Sequence, residues 1–347
     1  MGLRILHTAD WHMDSPFSGF SPEQRAWLRN EQRKLPGKIA HLVRRENCDL
    51  VFISGDVFDS PDTRESVSLV RQALAECGVP VFIAPGNHDY HGAASPWLRE
   101  AWPENVHIFP PGLSWVDIPD LDCRVYGAGY RGAECSGLLK KFRAEGEARY
   151  RLMVLHGDPR RAQSPYCPIT GAQVRDSGLS YLALGHIHQS GDFSAGDTLC
   201  GWPGCPMGRG YDETGEKGVY IVDIDGTATL RFVPLDTPRF YDLEGDAETL
   251  ENILPPVQSG DFYRVTLRGT GEGTLEEWKD RLPHLEIIDR RCEQEDIWSR
   301  MGEDTLEGVY FRLLRQKLEQ ANPAEAEHIL LAAEISRKIL DGREVAL

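Results

Sequence analysis

No apolar run in the 347 residues is long enough to cross a bilayer, which excludes a membrane-spanning helix as the organising element. The opening stretch Met1-Gly2-Leu3-Arg4-Ile5-Leu6 is too short for a secretion signal and leads straight into a polar motif, so a cytoplasmic protein with no membrane partner is expected. The eight cysteines include no Cys-x-x-Cys pair; in a chain of this size they read as reduced thiols rather than a disulfide framework. There is no internal repeat and no low-complexity segment. Positive charge is scarce: 38 Lys and Arg face 54 Asp and Glu, a net charge of −16, which argues against a general nucleic-acid coat. About −11 of that excess lies in residues 236–347. A polyanionic substrate must therefore be drawn by a local site, with metal ions as the natural source of positive charge.

What the chain does have is a series of polar clusters placed at the ends of apolar runs. The centre of the series is Gly86-Asn87-His88-Asp89, which follows the buried strand expected over Val79–Ala84 and a Pro-Gly turn. Four similar clusters accompany it: Asp10-Trp11-His12, Gly55-Asp56-Val57-Phe58-Asp59, His156-Gly157-Asp158 and Gly185-His186-Ile187-His188. Strands are expected before each, with helical segments over residues 22–45 and 62–77 between the first three. That β-α-β-α-β order implies parallel pairing. Ser21-Pro22-Glu23-Gln24 reads as a helix start, and Pro36 predicts a break or kink in that helix. Further expectations are strands without helices over 106–130, helices over 137–148 and 171–178, and a Gly/Pro-rich loop over 201–218 followed by two strands. Beyond Thr237-Pro238 the acidity rises. There a strand over 261–267, a short helix over 275–282, a strand over 285–288 and two terminal helices are expected. Leu306, Val309, Leu313 and Leu314 share one face of the first terminal helix.

In open α/β sheets, chemistry collects at the carboxyl ends of strands. The groups gathered there are Asp10, His12, Asp56, Asn87, His88, His156, His186 and His188. Hard oxygens mixed with imidazole nitrogens suit divalent metals. Two sets of four ligands can serve two metals if one carboxylate bridges, and Asp56, between the first and third clusters, is the natural bridge. Two metals about 4 Å apart form a clamp for in-line attack at phosphorus, and a remaining histidine can protonate the leaving oxygen. Taken singly, each Asp or His is an ordinary loop residue or helix cap; the ordered recurrence of the whole set is what points to a site. His7, inside the first strand, either orients a ligand or is structural.

The combination Asp-x-His, Gly-Asp-x-x-Asp, Gly-Asn-His-Asp, a lone His and Gly-His-x-His resembles the calcineurin-like metallophosphoesterase superfamily across residues 10–188. The resemblance implies an α/β fold: a two-layer β-sandwich flanked by helices over residues 1–236, a smaller C-terminal α+β capping domain over 237–300, and a helical segment over 301–347. It implies two divalent ions, one held by Asp10, His12, Asp56 and His188, the other by Asp56, Asn87, His156 and His186. His88 would be the acid or transition-state stabiliser, Asp89 would orient it, and Asp59 would support the ligands. His7-Thr8-Ala9-Asp10-Trp11-His12, Ile53–Asp59, Leu184–Gln189 and the loop Pro203–Tyr211 with Glu213 look like the SbcD-type DNA repair nucleases. That likeness implies a manganese-dependent DNA exonuclease or endonuclease acting with an SbcC-like SMC-family ATPase, which the terminal helices would dock, and it allows a homodimer. His91 and Arg209 are candidate substrate contacts. Asp14, where relatives often carry glycine, places a negative charge beside the phosphate site. The alternatives are a small-molecule phosphodiesterase or phosphatase, such as a cyclic-nucleotide phosphodiesterase, and a non-catalytic scaffold.

Overall fold

The computed structural model describes the chain except residues 1, 61–63, 247–249, 259, 270–277, 279–280, 283, 291–297 and 341–347. Most of the helix expected over 275–282 lies outside the described residues. Contacts divide the chain into two compact units: Met1–Asp242 with Val257–Arg264 and Leu282–Leu285, and Leu243–Pro256 with Val265–Arg281 and Glu286–Leu347.

In the first unit, strands β1 (Leu3–Thr8), β2 (Leu50–Ile53), β3 (Val81–Ile83) and β4 (Val106–Ile108) pair in parallel, with Ile5 opposite Leu50 and Val51 opposite Val81. The crossovers carry helices α1 (Pro22–Arg45) and α2 (Val67–Glu76), as parallel neighbours require. The second sheet contains β5 (Ser114–Ile118), β6 (Cys123–Ala128), β7 (Tyr150–His156), β8 (Tyr181–Gly185), β9 (Gly191–Ala195) and β10 (Thr198–Trp202). The hairpin of β11 (Gly218–Asp225) and β12 (Thr227–Pro234) returns to the first sheet, giving the orders β12-β11-β1-β2-β3-β4 and β5-β6-β7-β8-β10-β9. Strands β13 (Phe240–Asp246), β14 (Phe262–Arg268) and β15 (Leu285–Asp289) form a third, three-stranded sheet.

Side-chain alternation builds the two-layer sandwich. Leu50 and Phe52 of β2 and Phe82 of β3 face the inter-sheet core with Val125, Leu152, Val154 and Ala183. Their neighbours Val51, Ile53, Val81 and Ile83 face the other way, onto Leu35, Ile39 and Val43 of α1 and Val70 and Leu74 of α2. Both faces of the first sheet are thus covered, which is why its strands read as continuous apolar runs.

Local chemistry explains several boundaries. The Ser21 side chain accepts from Gln24 N–H while the Gln24 side chain accepts from Ser21 N–H, a capping box. The helix continues through Pro36, so the expected break does not occur; Leu35, Pro36, Ile39 and Ala40 are all buried there. The segment 137–148 is turns and irregular chain rather than helix. Its main chain is engaged elsewhere: Ala144 N–H donates to Ser177 O at 2.7 Å and Glu145 N–H to the Tyr126 hydroxyl at 2.7 Å, while Gly146 adopts φ +96°. Tertiary bonds there override a helix-favouring composition. Strands β9 and β10 lie where no strand was expected.

In the second unit the two terminal helices form, over Leu306–Gln320 and Pro323–Leu340. The buried residues of the first are Gly308 and Phe311, not the leucine stripe: Leu306 is 86% exposed and Leu313 55%. Among the described residues no helix is long and apolar enough to cross a membrane.

Phe52 is fully buried between the sheets, edge-on to Phe82 at 6.0 Å. Phe52→Ala is expected to lower unfolding free energy by about 3–5 kcal/mol through lost burial and the cavity left behind. A loss below about 1 kcal/mol in urea denaturation would show that the inter-sheet core is not the dominant packing.

Candidate metal centre

The site residues stand where the parallel strands end. After β1 and β2 the two chains remain zipped: Asp10 N–H donates to Gly55 O at 3.0 Å, His12 N–H to Asp56 O at 3.0 Å and Met13 N–H to Val57 O at 2.8 Å. Asp10, His12, Asp56 and His186 all adopt left-handed backbone, with φ +54°, +45°, +49° and +93°. Such residues persist only where their surroundings over-determine them. Here the surroundings include Gln32, buried in α1, which donates to His12 O at 2.8 Å and accepts from Asp14 N–H at 3.0 Å. Close approach sets the glycines of the motifs. A Cβ on Gly86 would lie 2.2 Å from Asp56 Oδ1, and one on Gly185 would lie 2.1 Å from Ser54 O.

The structure brings the predicted ligands together. His12 Nε2 and His188 Nε2 face one another at 3.1 Å, and Asp10 joins them within 4.8 Å. Asp56 Oδ2 lies 3.8 Å from His12 Nε2 and 3.3 Å from His156 Nε2, so one oxygen faces both halves of the site. Asn87 Oδ1 lies 2.9 Å from His156 Nε2 and 3.3 Å from His186 Nδ1. Asp10 accepts the His186 backbone N–H at 3.0 Å. Asp10, His12, Asp56 and His156 are all buried.

The donor set tests whether this cluster fits metal ions. His12 Nδ1 lies 3.2 Å from Asp59 Oδ1, and His188 Nδ1 lies 2.5 Å from Glu213 Oε1. A carboxylate there can only accept, so both Nδ1 atoms carry hydrogen, and in the neutral rings both Nε2 atoms present lone pairs to each other. His156 repeats the pattern. Its Nδ1 is 2.8 Å from Ser54 O, which turns the lone pair of Nε2 toward the oxygens of Asp56 and Asn87. Buried acceptors converging on acceptors are stable only around a cation. The residues fit two divalent ions, with Asp56 shared between an Asp10–His12–His188 group and an Asn87–His156–His186 group.

Without an ion, a proton takes the cation's place. Burial opposes charge on His156, but the Asp56 and then the Asp10 carboxylates raise its pKa to about 9. Burial would raise the Asp56 carboxyl too, yet His156 and His12 hold it well below the usual range. Burial, with neighbouring His156, lowers His186 to about 4, so that ring is neutral and ready to ligate.

His88 stands beside the ligands, its ring 4.7 Å from that of His12. Its backbone N–H donates to Asp56 Oδ1 at 2.9 Å and its Nδ1 meets Asp59 O at 3.2 Å, leaving Nε2 to exchange a proton with a bound molecule. Asp89 does not orient that ring as the resemblance implies. Its buried carboxylate accepts from the N–H groups of Gly86 (2.7 Å), Val57 (2.8 Å), Asp56 (3.2 Å) and Phe58 (3.4 Å), tying the second motif to the third. Asp14 accepts from Ser66 N–H at 3.1 Å and from the Ser66 hydroxyl, at the start of α2. His7 is structural: Nδ1 meets the Tyr181 hydroxyl at 2.7 Å and Nε2 the Ser54 hydroxyl at 2.9 Å, and burial lowers its pKa to about 3. His91 meets Phe109 O through Nε2 at 2.9 Å. Arg209 is engaged by Glu213 and Asp59. Sequence reasoning did not place Gln32, Glu213 or Tyr166 at the site. Glu213 had a signal, since it follows the Gly-rich loop closely. Tyr166, whose ring lies 4.6 Å from that of His186, and Gln32 had none.

Because a proton on His156 must leave when a metal takes Nε2, manganese added to chelator-treated protein should release protons below pH about 9, and release fewer above it. Calorimetry in two buffers of different ionisation enthalpy reads this directly. Equal release on both sides of that pH would show that His156 is not a ligand.

Comparison with known proteins agrees with this geometry. Residues 3–190 match the calcineurin-like phosphoesterase family. The chain is 32% identical to the uncharacterized metallophosphoesterase YhaO of Bacillus subtilis, over 83% of this chain and 79% of that protein. It is 26% identical to the SbcD component of the nuclease SbcCD of Bacillus subtilis, over 64% of this chain and 66% of that one. It is 24% identical to the DNA double-strand break repair protein Mre11 of Aeropyrum pernix, over 82% and 73%. Strand-end ligands in this order, converging on one acceptor-lined site, together with a family match over more than half its length, show that the chain belongs to the calcineurin-like phosphoesterases.

Proposed function

We propose that the protein is a manganese-dependent DNA phosphodiesterase that cleaves DNA at breaks in the cytoplasm, in concert with an SMC-type ATPase. The observation that carries the hydrolytic part is the acceptor-only cluster with Asp56 facing both halves and His88 beside it. The likeness to the SbcD component of nuclease SbcCD and to Mre11 supports DNA as the substrate. Mixed nitrogen and oxygen donors suit manganese.

When bound, two divalent ions supply the positive charge that neutralises the phosphoryl oxygens and acidify the attacking water. The chain's own residues do the rest. Asp59 and Glu213 hold His12 and His188 in the tautomer that presents Nε2. Ser54 O does the same for His156. The bond from His88 Nδ1–H to the Asp59 carbonyl fixes the His88 ring, whose Nε2 delivers a proton to the departing oxygen as the ester bond breaks. Water adds to phosphorus, and the products are a phosphomonoester and an alcohol.

Two observations favour a smaller substrate. The net charge is −16 and the Arg209 guanidinium at the site is already paired. A small phosphodiester would tolerate that field better than a duplex.

End-labelled linear duplex DNA with manganese is expected to be degraded, and His88→Ala should lower the rate about 10²–10⁴-fold. Intact DNA alongside cleavage of a small chromogenic diester would transfer the assignment to the small-molecule reading. No hydrolysis of either, with manganese bound, would leave a scaffold.

We assign catalysis to the first compact unit and ATPase docking to the second, where Leu306, Val309 and Leu313 of one helix stay exposed. An apolar helix stripe suits a groove or coiled coil of a partner. Leu306→Asp combined with Leu313→Asp should abolish co-purification with the ATPase while diester hydrolysis persists. Undiminished co-purification would place the contact elsewhere.

A further inference from the structure

We infer that Arg209 is a positioning residue that locks one half of the metal centre, rather than a contact for substrate phosphate; the inference rests on the two-ion reading above. The two histidines of the Asp10–His12–His188 group are each oriented by a carboxylate. Asp59 Oδ1 lies 3.2 Å from His12 Nδ1, and Glu213 Oε1 lies 2.5 Å from His188 Nδ1. The carboxylates come from distant parts of the chain. Asp59 follows β2, and Glu213 sits in the loop between β10 and β11.

Arg209 joins them. Nη2 donates to Glu213 Oε1 at 2.8 Å and Nη1 to Asp59 Oδ1 at 3.2 Å, while its backbone N–H donates to Glu213 Oε2 at 2.8 Å. Nη2 also stands 3.1 Å from His188 Nδ1. Further bonds reinforce each carboxylate: the Ser15 hydroxyl donates to Asp59 Oδ1 at 3.1 Å, and Arg209 Nε lies 3.3 Å from Glu213 Oε1. A guanidinium is a rigid planar fork, so bonding two carboxylates at once sets the distance between them as well as their charge. Both arms of the fork are engaged within the protein, and the side chain is only 24% exposed. Burial opposes its charge, but Glu213 and then Asp59 raise its pKa, so it stays cationic. Among the described residues the Asn87–His156–His186 group makes no bond to this network; the tautomer of His156 is set by the Ser54 carbonyl.

Partners that orient ligands typically change metal affinity about 10–100-fold when removed. The experiment is manganese titration of the chelator-treated full chain, followed by calorimetry and by electron paramagnetic resonance of free manganese. Wild type, Arg209→Met, Arg209→Lys and Glu213→Gln are compared, with KM for a chromogenic diester measured at saturating metal. Two manganese sites are expected in the wild type. Arg209→Met and Glu213→Gln should each weaken one of them about 10–100-fold, spare the other and leave KM unchanged. Arg209→Lys, which keeps the charge and loses the fork, should weaken the same site less. Two intact sites in Arg209→Met would overturn the inference, and a raised KM in that case would make Arg209 a substrate contact. Should Arg209→Met fail to fold, Arg209→Lys and Glu213→Gln carry the same comparison. A wild type that binds no manganese would instead defeat the two-ion reading itself.

Discussion

The constraint on which the site depends is a repulsion. Three imidazole lone pairs, on His12, His156 and His188, are turned by their own hydrogen bonds toward each other and toward the oxygens of Asp10, Asp56 and Asn87. In a buried setting such an arrangement is unfavourable unless positive charge enters it. The raised pKa of His156 is the same fact seen from the proton's side: the nearest available cation occupies part of the gap. Cation binding is therefore built into the folded chain by the direction of its acceptors, not merely allowed by residue type.

Holding acceptors against one another demands a stiff frame. The two sheets supply it, with Phe52, Phe82 and Leu152 filling the space between them. Parallel pairing of β1, β2 and β3 brings three polar turns to one edge, and the parallel run of β6, β7 and β8 brings His156 and His186 to meet them. At that edge the backbone is strained: several residues are left-handed, each at a cost of about 1–3 kcal/mol. Direct bonds between the first and second turns and the four N–H groups gathered by Asp89 hold it there. Gly86 and Gly185 are required because no Cβ fits between these turns.

The candidate ligand set was legible because strand-end chemistry leaves a local signature: an apolar run, a glycine turn, then side chains able to bind metal. The surrounding layer was legible only in part. Asp59 stands in the second motif and was expected to support the ligands, but Arg209 and Glu213, which share one loop, and Gln32 on α1 act through partners far away in the chain, and nothing local marks a glutamine on a helix as the clamp on a distant loop. The same limit explains the misread segments. Residues 137–148 have helix-forming composition, yet their N–H groups find partners in Tyr126 and Ser177. The leucine stripe of the first terminal helix has the period of a buried face, but Phe311 is the side chain that is buried.

The sequence by itself determined most of the strands of the first sheet, the parallel order of its first three, the polar clusters at the strand ends and the family. Each of these follows from short-range patterns of burial, turn chemistry and motif, which a linear reading can detect. Only the tertiary structure decided which nitrogen each histidine presents, that Asp56 faces both halves of the centre, that Asp89 binds backbone rather than His88, and that one guanidinium spans two carboxylates. Those are matters of direction and of ångström separations between residues far apart in the chain. They are set where the two sheets bring their strand ends together, and no local property of the sequence encodes them.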